Sequence, residues 1–142
     1  MKDNLVRDKS YAFALQVIVL FRKLCKSGEY VLSKQLLRSG TSIGANVEEA
    51  KAAQSRADFI SKMSIASKEA RETNYWLRLL RDSGIIDSSE IDPLLLESDS
   101  IIKVLTSIVK SSSITQKSKF KIQNSELPNH SKIQNSKSSA PQ

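Results

Sequence analysis

Lys68, Arg71, Tyr75 and Arg78 follow one another at spacings of three, four and three, so on a helix they form one basic stripe with an aromatic ring set into it. Such a stripe can track a phosphate backbone through its cations while the tyrosine stacks on an unpaired base. A second group of cations, Arg22, Lys23 and Lys26, closes the first predicted helix and extends the same nucleic-acid-binding reading. The competing reading is a solvated helix face. Lys68 with Glu72, Arg78 with Asp82 and Asp58 with Lys62 each stand four apart, and an ion pair at that spacing contributes a few tenths of a kcal/mol. The stripe by itself leaves both readings open. Oligomerisation would favour the first, because a ring repeats a modest basic stripe over a continuous surface.

Catalytic chemistry has less to stand on. Cys25, the only cysteine, falls on an apolar helical stripe, and His130, the only histidine, lies in a polar C-terminal stretch, so neither a Cys-His pair nor a histidine-based metal site assembles. The glycines at 28, 40, 44 and 84 form no phosphate-cradling loop. Glu48, Glu49, Glu69 and Glu72 can approach one another across two helices, and bundles hold paired metals with such glutamates, but the Glu-x-x-His that those sites need is absent. The expectation is no enzyme, no metal and no cofactor. Arg38 and Glu49, about three turns apart, share a face with Asn46 between them, and Glu72 can meet that face from the next helix. A hydrogen-bonded cluster that fixes helix register is favoured there over a binding site.

These residues need long helices to position them. No proline precedes Pro93 and only four glycines occur in 142 residues, which favours an all-α chain over a many-turned sheet. Hydrophobic spacing predicts helices over about 8–26, 31–53, 56–83 and 90–110, joined by short connections into an antiparallel up-and-down four-helix bundle, with residues 1–112 as the domain. Gly28 and Ser83-Gly84 end two of them, Ser55 caps a third, and Pro93 belongs in a first turn. Phe59, Met63, Ala66, Ala70, Thr73, Leu77 and Leu80 keep alternating spacings of four and three, the mark of a helix packed along its neighbours. In the first helix Ala14, Ile18, Phe21 and Cys25 form one stripe, while Leu15, Val17, Val19, Leu20 and Leu24 add more apolar surface than one core requires. Either that helix lies mid-domain or its second face meets another subunit, and the second is favoured. The second helix carries Ser39, Gly40, Thr41, Ser42, Gly44 and Ala45 at its centre, against helix propensity, which implies a neighbouring backbone packed closely against them.

The net charge of +7 is uneven. Residues 1–81 hold 15 Lys/Arg against 8 Asp/Glu, residues 82–110 hold 2 against 6, and residues 111–142 hold 5 against 1. The last stretch is polar and repeats Lys-Ile-Gln-Asn-Ser, so residues 113–142 are expected to be a disordered tail, whose positive charge could reinforce binding to an anionic partner but for which a dispensable extension is the favoured reading. No apolar run reaches the roughly 20 residues that span a bilayer, no secretion signal is evident, and the single cysteine suits a cytoplasmic location.

Gln35-Leu36, then Arg38-Ser39, then Ser42-Ile43-Gly44-Ala45-Asn46-Val47-Glu48-Glu49, followed by a helix bearing Ala66 and Glu72, resembles the 23S rRNA intervening sequence proteins of bacteria over about residues 5–110. The resemblance implies a four-helix bundle assembled as a homopentameric ring with no established enzymatic activity. It marks Arg38, Ser42, Asn46, Glu49 and Glu72 as signature positions. Accessory proteins of diversity-generating retroelements resemble the same bundle and bind nucleic acid and a reverse transcriptase through basic surface, so RNA, DNA or a protein partner is expected. Ala50 and Lys68-Glu69 stand where the family often has glycine or a Gly-Ser pair.

Overall fold

The computed structural model describes residues 2–126 and folds them into α1 (Lys2–Lys26), α2 (Val31–Lys51), α3 (Arg56–Asp82) and α4 (Ser88–Glu126). Along α1 and α2, Arg7 meets Glu48 and Val17 meets Gly40. Along α2 and α3, Arg38 meets Glu69 and Glu49 meets Lys62. Asn74 and Arg81 of α3 meet Ser98 and Asp92 of α4, and Lys2 and Lys23 of α1 meet Ser107 and Glu90 of α4. Numbers rise on one helix as they fall on the next, so every touching pair runs antiparallel. Both α1 and α3 pack on α2 and α4 but not on each other, which makes them diagonal neighbours.

Local chemistry sets the helix ends. Gly28 adopts a φ of +89°, and the N–H groups of Glu29 and Gly28 bond the carbonyls of Leu24 and Cys25 at 2.9 and 3.0 Å, the paired closure of a Schellman motif. Glu29 then opens α2: its carboxylate accepts from the N–H groups of Leu32 at 2.9 Å and Ser33 at 2.7 Å. Burial pushes this carboxyl up, but the N–H groups of Leu32, Ser33 and Val31 and the Ser33 hydroxyl together hold it below its ordinary value. Ser55 caps α3 as expected, with its hydroxyl accepting from the Asp58 N–H at 3.0 Å, and Gly84 closes that helix at φ +75°.

The core runs the length of the bundle. From α3, Met63, Ala66, Ala70, Thr73, Leu77 and Leu80 are wholly buried, as their spacing requires, with Phe59 at the margin. In α1 the buried stripe is Val6, Ser10, Phe13, Val17, Leu20 and Leu24. That corrects the expected stripe: Ala14, Ile18, Phe21 and Cys25 lie half-buried beside it. Five consecutive apolar residues allow either phase, and packing against α2 selects the phase that puts Val17 over Gly40.

The glycine-rich centre of α2 is where α1 comes closest. A Cβ on Gly40 would lie 2.8 and 2.9 Å from the two methyls of Val17, and one on Gly44 would lie 3.5 to 3.7 Å from the Ser10 hydroxyl and backbone. Ser33 and Ser39 are also fully buried, and Ser39 Oγ sits 2.9 Å from Thr73 Oγ1 of α3. Small side chains therefore admit α1 on one side and α3 on the other, although at Gly40 the intruding group is a side chain and not main chain.

Two helices differ from expectation in their bounds. The first is α1, which begins at Lys2 and not near residue 8, because Val6 is fully buried and Asn4 accepts a hydrogen bond from Lys51 at 2.7 Å. The second is α4, which starts at Ser88, aided by the Asp87 carboxylate accepting from the Ser89 N–H at 2.9 Å, so that Pro93 falls in the second turn. At its other end α4 does not stop near Lys110 but continues to Glu126, so residues 113–126 are helical and not the disordered stretch expected of them. Residues 127–142, the remainder of that expected tail, and His130 within it lie outside the described residues.

Candidate nucleic-acid interface

The four basic-stripe positions of α3 all reach the surface. Lys68, Arg71, Tyr75 and Arg78 are exposed on the side of α3 away from the Met63–Leu80 core row. The Tyr75 ring meets Trp76 edge-on at 5.1 Å between centroids, and the Arg78 guanidinium lies 5.9 Å from the Tyr75 ring centre. Tyr75 is 46% exposed, so part of the side chain stays accessible.

The ion pairs that would have reduced this stripe to a neutralised helix face do not form. Glu72 pairs with Arg38 of α2 and not with Lys68, and Lys62 pairs with Glu49 at 2.8 Å. Both contacts cross between helices, where two long side chains meet without bending along one helix. Lys62 is correspondingly held above its ordinary value, first by the hydrogen bond from its ammonium to Glu49. Asp82 is engaged by Arg81 at 2.8 Å, which holds that carboxyl low, with Arg78 adding a weaker attraction. Among the described residues Lys68 and Arg71 make no ion pair.

The groove between α3 and α4 divides into two halves. At the end near the α3–α4 turn it is lined by Asn74, Arg78, Arg81, Asp92, Leu95, Leu96 and Asp99, where charges of both signs alternate. At the other end a cleft of about 330 Å³ is lined by Ser64, Ser67, Lys68, Arg71, Thr106, Val109 and Lys110. Every charge on that lining is positive. Its hydroxyls and cations suit phosphate oxygens, and a phosphate placed there would meet no lining carboxylate. Lys110 was missed by reasoning from the stripe. The signal available was topological: an antiparallel α4 must bring its C-terminal half alongside the N-terminal half of α3.

The second predicted group does not join the first. Arg22, Lys23 and Lys26 lie on α1, diagonal to α3. Arg22 and Lys26 are exposed, whereas Lys23 is paired with Glu90 of α4 beside an apolar cleft formed by Val19, Leu20, Pro93 and Leu94.

The signature residues are dispersed along α2. Arg38 bridges Glu69 at 3.3 Å and Glu72, whose carboxylate also accepts from the Trp76 indole N–H at 3.3 Å. Asn46 donates to the Ser42 carbonyl at 2.9 Å within its own helix, and Glu49 serves Lys62. Arg38 and Glu72 thus form part of an α2–α3 latch, but Asn46 and Glu49 belong to separate contacts, so the expected single cluster does not exist. Glu69 and Lys62, weighed above in other pairings, complete these contacts with Trp76, which was not anticipated. The four glutamates weighed as paired carboxylates are spoken for by Arg7, Arg38 and Lys62, and among the described residues no three potential metal ligands gather.

Comparison with known proteins adds two findings. A family model described as 23S rRNA-intervening sequence protein matches residues 2–107. The chain is also similar to a crystallised protein of unknown function from the S23 ribosomal protein family of Bacteroides thetaiotaomicron, with 52% identity over 78% of this chain and 99% of the other, at a TM-score of 0.76. No curated protein matches.

Proposed function

Because the chain belongs to the 23S rRNA-intervening sequence protein family, we propose that it acts without catalysis, as a homo-oligomeric ring that binds nucleic acid, chiefly RNA, through basic surface. The observation that carries this reading is the all-positive half of the α3–α4 groove, where Lys68, Arg71 and Lys110 converge with no lining carboxylate. Phosphate contacts of that kind supply affinity without sequence preference. A ring, a pentamer by the family resemblance, would present the groove once per subunit and multiply its field. The surface that supports assembly is the outer ridge of α1, where Tyr11, Leu15 and Val19 stand one turn apart and are 66, 50 and 68% exposed. Among the described residues no helix is long and apolar enough to cross a membrane, in keeping with a cytoplasmic location.

Charge reversal tests the reading. Lys68→Glu with Arg71→Glu is expected to abolish RNA binding by fluorescence anisotropy while leaving the helical circular dichroism unchanged, since both side chains are exposed. Undiminished binding by the folded double variant would remove α3 from the interface.

The same ridge of α1 supports a second reading, a scaffold or accessory subunit for a protein such as a reverse transcriptase. That version requires salt-tolerant binding to the partner, lost on Leu15→Glu, with no nucleic acid retained.

A further inference from the structure

Past Ser113, every residue of α4 through Glu126 is exposed, so the last three turns leave the bundle as an arm without tertiary support. The family match ends at residue 107, before this arm begins. At 100° per residue, Lys103, Lys110, Lys117 and Lys121 fall within about 40° of one another. They lie opposite the buried row of Ile101, Leu105, Ile108 and Ser112 and span about 27 Å. Lys110 belongs at once to this line and to the basic cleft of Lys68 and Arg71, so the two surfaces are continuous. Ile114, Phe120 and Ile122 point in directions spread over about 200° around the helix, which gives the arm no apolar face to lay on a membrane or into a hydrophobic groove.

We propose that the α4 arm is a phosphate-tracking extension of the groove, clamping the sugar-phosphate backbone of a nucleic acid along the Lys103–Lys121 line. This rests on the nucleic-acid reading above and adds to it a second, independently removable set of contacts. The line offers single-point ammonium charges and no arginine fork aimed at a base, so it contributes affinity and positioning without sequence choice. Lys117 and Lys121 stand four apart on the helical arm and repel one another, and a bound backbone relieves that repulsion.

The experiment compares the full chain with Lys103→Gln/Lys117→Gln/Lys121→Gln, none of which lines the groove, in titrations of a labelled duplex RNA at several salt concentrations, with circular dichroism of each protein. The triple variant is expected to keep the free protein's fold, to bind more weakly on every sequence tried, and to lose about two to three units of the slope of log K against log salt. An unchanged slope in the triple variant, alongside loss of binding in Lys68→Glu/Arg71→Glu, would overturn the arm and leave the groove reading intact. The opposite pattern would support the arm and remove α3, and no binding by wild type would sink both. Displacement by heparin as readily as by unlabelled RNA of equal charge would reassign the arm to polyanions in general and overturn the proposal.

Discussion

Gly40 and Gly44 are one helical turn apart and should respond oppositely to the same change. Each glycine-to-alanine substitution gains about 1 kcal/mol of helix propensity. At Gly44 the new methyl finds ordinary contact with Ser10, so Gly44→Ala is expected to stabilise the fold by up to about 1 kcal/mol. At Gly40 it meets the stiff, fully buried Val17 below 3.0 Å, and overpacking of about 1–3 kcal/mol offsets or exceeds the gain. Urea denaturation of the two variants checks this contrast. Glu29 offers a pH test. Its carboxyl is held below the ordinary 4.5, so its contribution is complete above that value and is lost as pH falls through the lowered folded value. Glu29→Ala is expected to cost about 1 kcal/mol at neutral pH, with the gap to wild type closing in acid. The closeness at residues 40 and 44 was legible because glycine and serine at a helix centre have few other causes. Glu29 was not, because a carboxylate that reaches forward over a helix start looks like any charged loop residue until the turn at Gly28 is known.

Among the elements, α3 is the one whose sequence left least to the structure: a repeat kept for three heptads admits one buried row, and Ser55 and Gly84 mark its ends. The phase of α1 was hidden by its own hydrophobicity, since Val17 to Phe21 supply apolar residues in every direction. Packing against α2 chose the Val6–Leu24 row and left Tyr11, Leu15 and Val19 outside. Leu15→Glu with Val19→Glu is therefore expected to change monomer stability by no more than about 0.5 kcal/mol yet to lower the assembly mass in sedimentation. A loss of fold would show instead that the ridge belongs to the core. The end of α4 defeated sequence reasoning because a Ser, Lys and Gln composition lacks the periodicity that packing imposes, and an exposed helical arm has no packing to record. The ion pairs stayed open in the sequence for a related reason: spacing of four identifies partners within a helix, while Arg38 and Glu49 show that partners one helix away can take them first.

At the scale of the molecule, charge is sorted by the antiparallel topology. The acidic residues of the α3–α4 turn region answer Arg78 and Arg81 at one end of the groove, and the chain's cations are left unanswered at the other, where Lys68, Arg71 and Lys110 meet and the arm departs. A single bundle offers only a short basic face, so the account depends on several bundles presenting it together. Light scattering of the purified protein with its absorbance ratio at 260 and 280 nm tests that most directly. The expected result is a particle of several chains, five times 15.8 kDa for the pentamer, carrying nucleic acid that is stripped by high salt while the particle persists. A particle of one chain's mass with the absorbance of protein alone would contradict it.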